Sequence, residues 1–138
     1  MRLTKKYLDE LSYQIIGAAI EVHKEFGPGL LEKVYEKCLK YELEQRNLKV
    51  EAQGKVPILY KGKDLSTNMY YDLLVEGTIL VELKAVEQIL PIHQAQLLSH
   101  MKLLKVAKGL LLNFNCLNIF REGQKTMVND FYKVLPEK

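Results

Sequence analysis

Residues 79–88 read ILVELKAVEQ, and this short run constrains the chain more than any other. As a β-strand it presents Ile79, Val81, Leu83 and Ala85 on one face and Leu80, Glu82, Lys84 and Val86 on the other, because side chains two apart share a side. The first face is wholly core-like. The second sets an acid beside a base among apolar neighbours. Removing a charge from water costs several kcal/mol unless it is paired or binds a metal. The strand therefore either carries a surface ion pair on an edge, or passes its polar face through a site that uses the charges.

The preceding segment adds a second acid. MYYDLLVEG reads as another strand, joined tightly to TILVELKAV at Glu76-Gly77. Asp72 and Glu82 are equally far from Gly77 in sequence, so strand pairing through that turn sets them at corresponding heights. Taken alone, an aspartate near a strand start can also be simple turn chemistry. Two carboxylates with a lysine beside them form a hard-oxygen site suited to Mg²⁺ or Mn²⁺. Such an ion polarises a phosphoryl oxygen and acidifies a bound water, while Lys84 positions that water or stabilises developing charge.

The remaining elements follow from periodicity. Thr4 is placed to cap a helix whose apolar positions Leu8, Leu11, Ile15, Ala18, Ala19 and Val22 recur at helical spacing. FGPGLLE stops that helix at Gly27 and opens a second one near Pro28, running to about Arg46 with Leu31, Val34, Tyr35, Cys38, Leu39 and Leu43 as its apolar stripe. LKVEAQGKVPILYKG alternates like a strand, and Lys61-Gly62-Lys63-Asp64 reads as a hairpin turn. A helix is expected from Pro91, with Ile92, Leu97, Met101 and Leu104 inward. KGLLLNF is a continuous apolar run, as in a strand covered on both faces, and LNIFRE reads as a further short strand. The tail after Gly123 fits no single element. The order α-α-β-β-β-α-β-β describes an α/β fold with a mixed central sheet.

Composition narrows the classes. With 138 residues, 48% of them apolar and 27% charged, the chain reads as one domain over 1–138, large enough to bury a core. Cys38 and Cys116 are far apart and read as buried free thiols of a reducing cytoplasm. They give no structural zinc pattern with the three histidines. The opening MRLTKKYLDE lacks the apolar stretch of a signal peptide, and no segment approaches the roughly 20 apolar residues that span a bilayer. The expected location is cytoplasmic, with no membrane partner. Tyr60, Tyr70 and Tyr71 can stack on bases or pack within strands. His23 reads as a helix-end residue, and His93 either approaches the site or caps its helix.

Asp72, then Glu82-x-Lys84, then a helix containing Gln96, resembles the PD-(D/E)xK nuclease superfamily, in a pattern similar to RecB-like nucleases. The chain also looks like the small bacterial proteins named for a G-x-x-E-x-x-Y motif, present here as Gly29-Leu30-Leu31-Glu32-Lys33-Val34-Tyr35. The resemblance runs from about Tyr13 to Phe120 and implies a restriction-endonuclease-like core. It implies that Asp72, Glu82, Glu32 and the Leu83 carbonyl hold Mg²⁺ or Mn²⁺, that Lys84 is the catalytic lysine, and that Gln96 orients the site or its nucleic acid. Tyr35, His100 and His93 are further candidates for substrate or support roles. His100 stands where the RecB-like pattern has tyrosine, and Met69-Tyr70-Tyr71 stands where family members carry a basic residue. The implied activity is Mg²⁺-dependent hydrolysis of DNA phosphodiester bonds, alone as a homodimer or with a partner protein. The alternative is an inactive nuclease-fold module that binds nucleic acid or protein.

Overall fold

The structure, a computed structural model, describes residues 2–138. Helix α1 spans Lys5–Phe26, and the Thr4 hydroxyl caps it by accepting from the Tyr7 N–H at 3.0 Å. All six expected apolar positions of α1 are buried. It ends at Gly27, whose φ of 64° is a left-handed value that favours glycine. The second helix, α2, spans Glu32–Gln45 and starts a turn later than the Pro28 expectation. With that later start, Leu31 and Val34 are exposed instead of lying in the stripe, while Tyr35, Glu36, Leu39 and Leu43 are buried.

The long alternating stretch after α2 is broken. It forms β1 (Val50–Ala52), a single bridge from Lys55 to Tyr70, and then a separate two-stranded hairpin, β2 (Leu59–Tyr60) with β3 (Lys63–Asp64). Gln53, at φ 53°, kinks the chain after β1. The ring of Tyr71 lies against Gly54, in space where any Cβ would collide. The hairpin turns at Lys61 and Gly62, both at positive φ, so the turn takes only the first half of the expected Lys61–Asp64 stretch and Lys63 and Asp64 form the second strand.

Strands β4 (Leu73–Val75) and β5 (Ile79–Lys84) pair antiparallel, and helix α3 (Pro91–Leu104) then crosses to β6 (Lys108–Asn113), which runs parallel to β5. The order across the mixed sheet is β1-β4-β5-β6-β7. Strand β7 is Gln124–Val128, so the tail supplies the last strand and the short helix α4, Asp130–Lys133. LNIFRE is not a strand: Ile119–Gly123 forms a π-helical turn, capped by the Asn118 side chain. Only Ile119 of its large apolar residues is buried, with Leu117 and Phe120 outside, so the segment lacks a face to lay on the sheet.

The two faces of the sheet fill two cores. Leu73, Val75, Ile79, Val81, Leu83, Leu110 and Leu112 pack under α1 and α2, together with Phe114. Leu80 and Leu111 pack under Leu97 and Met101 of α3. Gly109 makes room for that helix, since a Cβ there would sit 2.7 Å from the Met101 sulfur. Ile92 is exposed and Leu104 half-buried, so the inward face of α3 is narrower than its apolar positions imply. Both cysteines are free and half-buried. Among the described residues no helix is long and apolar enough to cross a membrane. The mixed sheet flanked by helices is the one anticipated from the element order, and it agrees with the restriction-endonuclease-like core that the resemblance implies.

Candidate active site

The last β4–β5 pair is Leu73 with Val81. One step further the same register opposes Asp72 and Glu82, as the Gly77 count anticipates. At this step β4 leaves its partner. The Asp72 backbone carbonyl accepts from the Gln53 N–H at 2.8 Å, on the β1 side. The Leu83 N–H, deprived of a strand partner, donates to Asp72 Oδ2 at 2.8 Å. The Leu83 carbonyl shares that edge, because a strand residue's N–H and C=O point to one side. The sheet thus opens, and a carboxylate and a main-chain oxygen come to the gap.

Glu82 enters from β5 on the α3 side. His100 of α3 meets it, with Nδ1 2.8 Å from Glu82 Oε1. Burial pushes the Glu82 carboxyl above its ordinary range; His100 opposes that shift, and the charge of Asp72 adds to it. Glu82 is thus a desolvated acid facing a second acid, with one oxygen fixed by an imidazole. Lys84 lies two residues on, half-buried, close enough for its charge to favour the ionised Glu82. Among the described residues it forms no ion pair, so its ammonium stays free for another partner.

A further acid was not singled out from the sequence. Glu36 of α2 is buried, and the Gln53 amide bridges it to the site, donating to Glu36 Oε1 at 2.8 Å and to Asp72 Oδ1 at 3.4 Å. Burial raises its carboxyl as well, and Asp72 raises it further, while Lys33 at 3.7 Å works against both. Glu36 follows Glu32 by four residues and so shares its helix face. It also adjoins the buried stripe of Tyr35, Leu39 and Leu43, which is the one clue the sequence offered. Nothing marks Gln53, whose role depends on the kink after β1.

The other candidates are spread more widely. Glu32 is exposed at the start of α2 and makes no side-chain hydrogen bond among the described residues, and the same holds for Gln96 on α3. Tyr35 is fully buried, stacked on Phe114 with ring centroids 4.5 Å apart. Its hydroxyl donates to the Gly27 carbonyl at 2.5 Å and accepts from the Leu30 N–H at 3.1 Å, so it supports the loop between α1 and α2. His93 caps α3, its Nδ1 accepting from the Leu90 N–H at 3.0 Å. The His23 ring is 2.8 Å from the Cys116 carbonyl and makes no side-chain hydrogen bond to the acids among the described residues.

Two opposed carboxylates and a main-chain carbonyl offer the oxygen donors that hard divalent cations take. Among the described residues no three carboxylate, imidazole or thiol groups form a ready metal cluster. The donor set still fits a cation that keeps part of its water shell. Both Glu36 and Glu82 are pushed up by burial and by the charge of Asp72, an excess of negative charge that a cation near Asp72 would relieve.

No curated protein and no solved structure matches the chain significantly. The model of the PD-(D/E)XK nuclease superfamily matches residues 9–127, a stretch that holds Asp72, Glu82, Lys84, Glu36 and His100. The chain belongs to the PD-(D/E)XK nuclease superfamily.

Proposed function

We propose that the chain is a Mg²⁺-dependent nuclease that hydrolyses DNA phosphodiester bonds, with Mn²⁺ as a substitute ion, and that it belongs to the G-x-x-E-x-x-Y group of bacterial proteins. The observation that carries this reading is the meeting of Asp72 and Glu82 where β4 leaves β5, with Lys84 close by and in no ion pair among the described residues. Asp72, Glu82 and the Leu83 carbonyl are the residues to hold the ion, with Glu36 or Glu32 of α2 supplying a further carboxylate. A bound divalent ion supplies Lewis-acid polarisation of the phosphoryl oxygen and a more acidic water. His100 fixes the orientation of Glu82. Lys84 orients the attacking water or stabilises charge developing on the phosphoryl oxygens. Gln96, exposed on the same helix as His100, is available to the substrate. The two free cysteines agree with a cytoplasmic setting, and so small a body calls for a homodimer or a partner protein to grip a duplex.

The test is cleavage of a panel of single-stranded and duplex DNA and RNA in Mg²⁺ or Mn²⁺, by wild type and by Asp72→Ala, Glu82→Ala and Lys84→Ala. Loss of cleavage in all three, with melting curves retained, is the expected result; cleavage surviving in all three sinks the mechanism. The lack of a ready three-group cluster favours one other reading, an inactive module that keeps the fold. That reading expects no cleavage by wild type and no rise in melting temperature with Mn²⁺, whereas specific binding to the native state raises it with concentration.

A further inference from the structure

We propose that the β2–β3 hairpin and the facing side of α3 form a groove that grips a single-stranded segment of nucleic acid and leads it towards the acids. The proposal rests on the nuclease reading and adds the form of substrate and the surface that selects it.

The hairpin stands apart from the central sheet as its own two-stranded sheet. Between it and α3 runs a groove of about 500 Å³, lined by Pro57, Leu59, Ser99, Lys102, Leu103 and Lys105. Ser99 of the groove lining directly precedes His100, the α3 residue that holds Glu82.

Charge is segregated here. Residues 53–71 hold Lys55, Lys61 and Lys63 against one acid, Asp64, whose carboxylate accepts from the Ser66 N–H and so serves its own turn. Helix α3 holds no acid, and Lys102 and Lys105 lie at its end. None of these five lysines forms an ion pair among the described residues. Over residues 5–46, by contrast, eight acids answer seven bases, and most ion pairs fall there. A surface of unpaired lysines complements a chain of phosphates.

The tyrosines settle which form of nucleic acid fits. Tyr71 is 4% exposed and packs on Gly54, whereas Tyr60 is 60% and Tyr70 48% exposed. Lys55 is the bridge partner of Tyr70, and the Lys61 ammonium lies 5.4 Å from the Tyr60 ring centroid. Tyr60 therefore has a cation at its ring and Tyr70 has a lysine as its backbone pairing partner, a combination that serves a base face and its phosphate. Duplex bases are stacked on each other and offer no free face, so the rings act only on unpaired nucleotides.

The experiment is fluorescence anisotropy with labelled poly-dT and a blunt duplex of equal length, in EDTA so that nothing is cut. Wild type is expected to bind the single strand about tenfold or more tightly than the duplex. Tyr60→Ala should weaken single-strand binding about fivefold or more. Lys61→Ala with Lys63→Ala should flatten the salt dependence by about 0.7 for each phosphate no longer neutralised. Tyr41→Ala, an equally exposed ring on α2 away from the groove lining, should bind as wild type does. Equal affinity for both forms, or Tyr60→Ala and the lysine pair binding as tightly as wild type, overturns the groove. Cleavage in Mn²⁺ is read separately: wild-type cleavage without single-strand preference refutes the groove alone, and groove-dependent binding without cleavage refutes the nuclease alone.

Discussion

Replacing Tyr35 by phenylalanine removes one oxygen from the core and leaves the stack on Phe114 in place. The change exposes what the motif tyrosine does. Its hydroxyl ties Gly27, at the end of α1, to Leu30, just before α2. The Gly27–Leu31 loop has little else to hold it: its side chains are glycine, proline and leucine, and Leu31 is 77% exposed. Loss of the hydroxyl leaves the Gly27 carbonyl and the Leu30 N–H without that partner. Both residues are half-buried, so water replaces part of the loss. The expected cost is about 1–2 kcal/mol, within the range for an unsatisfied backbone group. At this chain length that is a fall of about 3–8 °C in melting temperature. Tyr35→Leu also opens a cavity and breaks the aromatic pair, and should cost about 3–5 kcal/mol. Urea titration and calorimetry measure both. Below its melting temperature Tyr35→Phe should retain Mn²⁺ binding and any cleavage, since the hydroxyl touches no acid of the site. A variant as stable as wild type but poorer in cleavage would refute this, and would return the tyrosine to the substrate.

Two further predictions concern charge. The Lys108 side chain is 6% exposed and its ammonium lies 2.6 Å from Asp9, whose carboxyl it holds below the usual range with help from Tyr132. A depressed carboxyl adds stability above its unfolded value, and that stability is lost as pH falls through the folded one. Asp9→Asn should cost about 1–3 kcal/mol near neutrality by leaving the buried ammonium unanswered, reduced by the exposure of Asp9, and should flatten the acid limb of the melting-temperature curve. An unchanged acid limb contradicts it. For Glu82 the sign reverses: with its carboxyl raised, the cost of ionisation is absent below the unfolded value and is felt as pH rises through the folded one. Glu82→Gln should then melt no lower than wild type without metal at neutral pH, an advantage that shrinks in acid, while its response to Mn²⁺ disappears. A large metal-free loss of stability would show that Glu82 holds the fold together.

Much of this site was legible because its geometry follows from local rules. Glu82 and Lys84 share a face by the period of a strand, and the Glu76-Gly77 turn sets Asp72 opposite Glu82 by counting alone. The long helix and the apolar run of β6 were readable for the same reason: one period, held over many residues, with a cap or a breaker at the end. The misreadings occur where burial is decided by contacts remote in sequence. Leu31 and Val34 look like stripe residues until Tyr35 fixes how α2 begins. LNIFRE has the composition of a strand, yet β7 takes the sheet edge and leaves it a π-helical turn. Glu36 looks like one more helical acid; it becomes a site residue only because Gln53, at positive φ, reaches across to it.

The same divergence that hid Glu36 explains why charge collects here. Where β4 turns towards β1, the sheet stops satisfying its own backbone, and Asp72 takes the Leu83 N–H in place of a strand carbonyl. A carboxylate at that point is structurally useful, and it accounts for Asp72 without any reaction. It does not account for Glu82 or Glu36, each raised by burial and raised again by Asp72. Nor does it account for Lys84, which lies close by yet forms no ion pair among the described residues. A fold selected for stability alone would pair that lysine or replace the extra acids with apolar residues, since buried charge is seldom the more stable choice. On the nuclease reading proposed above, that surplus of negative charge is one half of an arrangement whose other half is a divalent cation and a substrate phosphate.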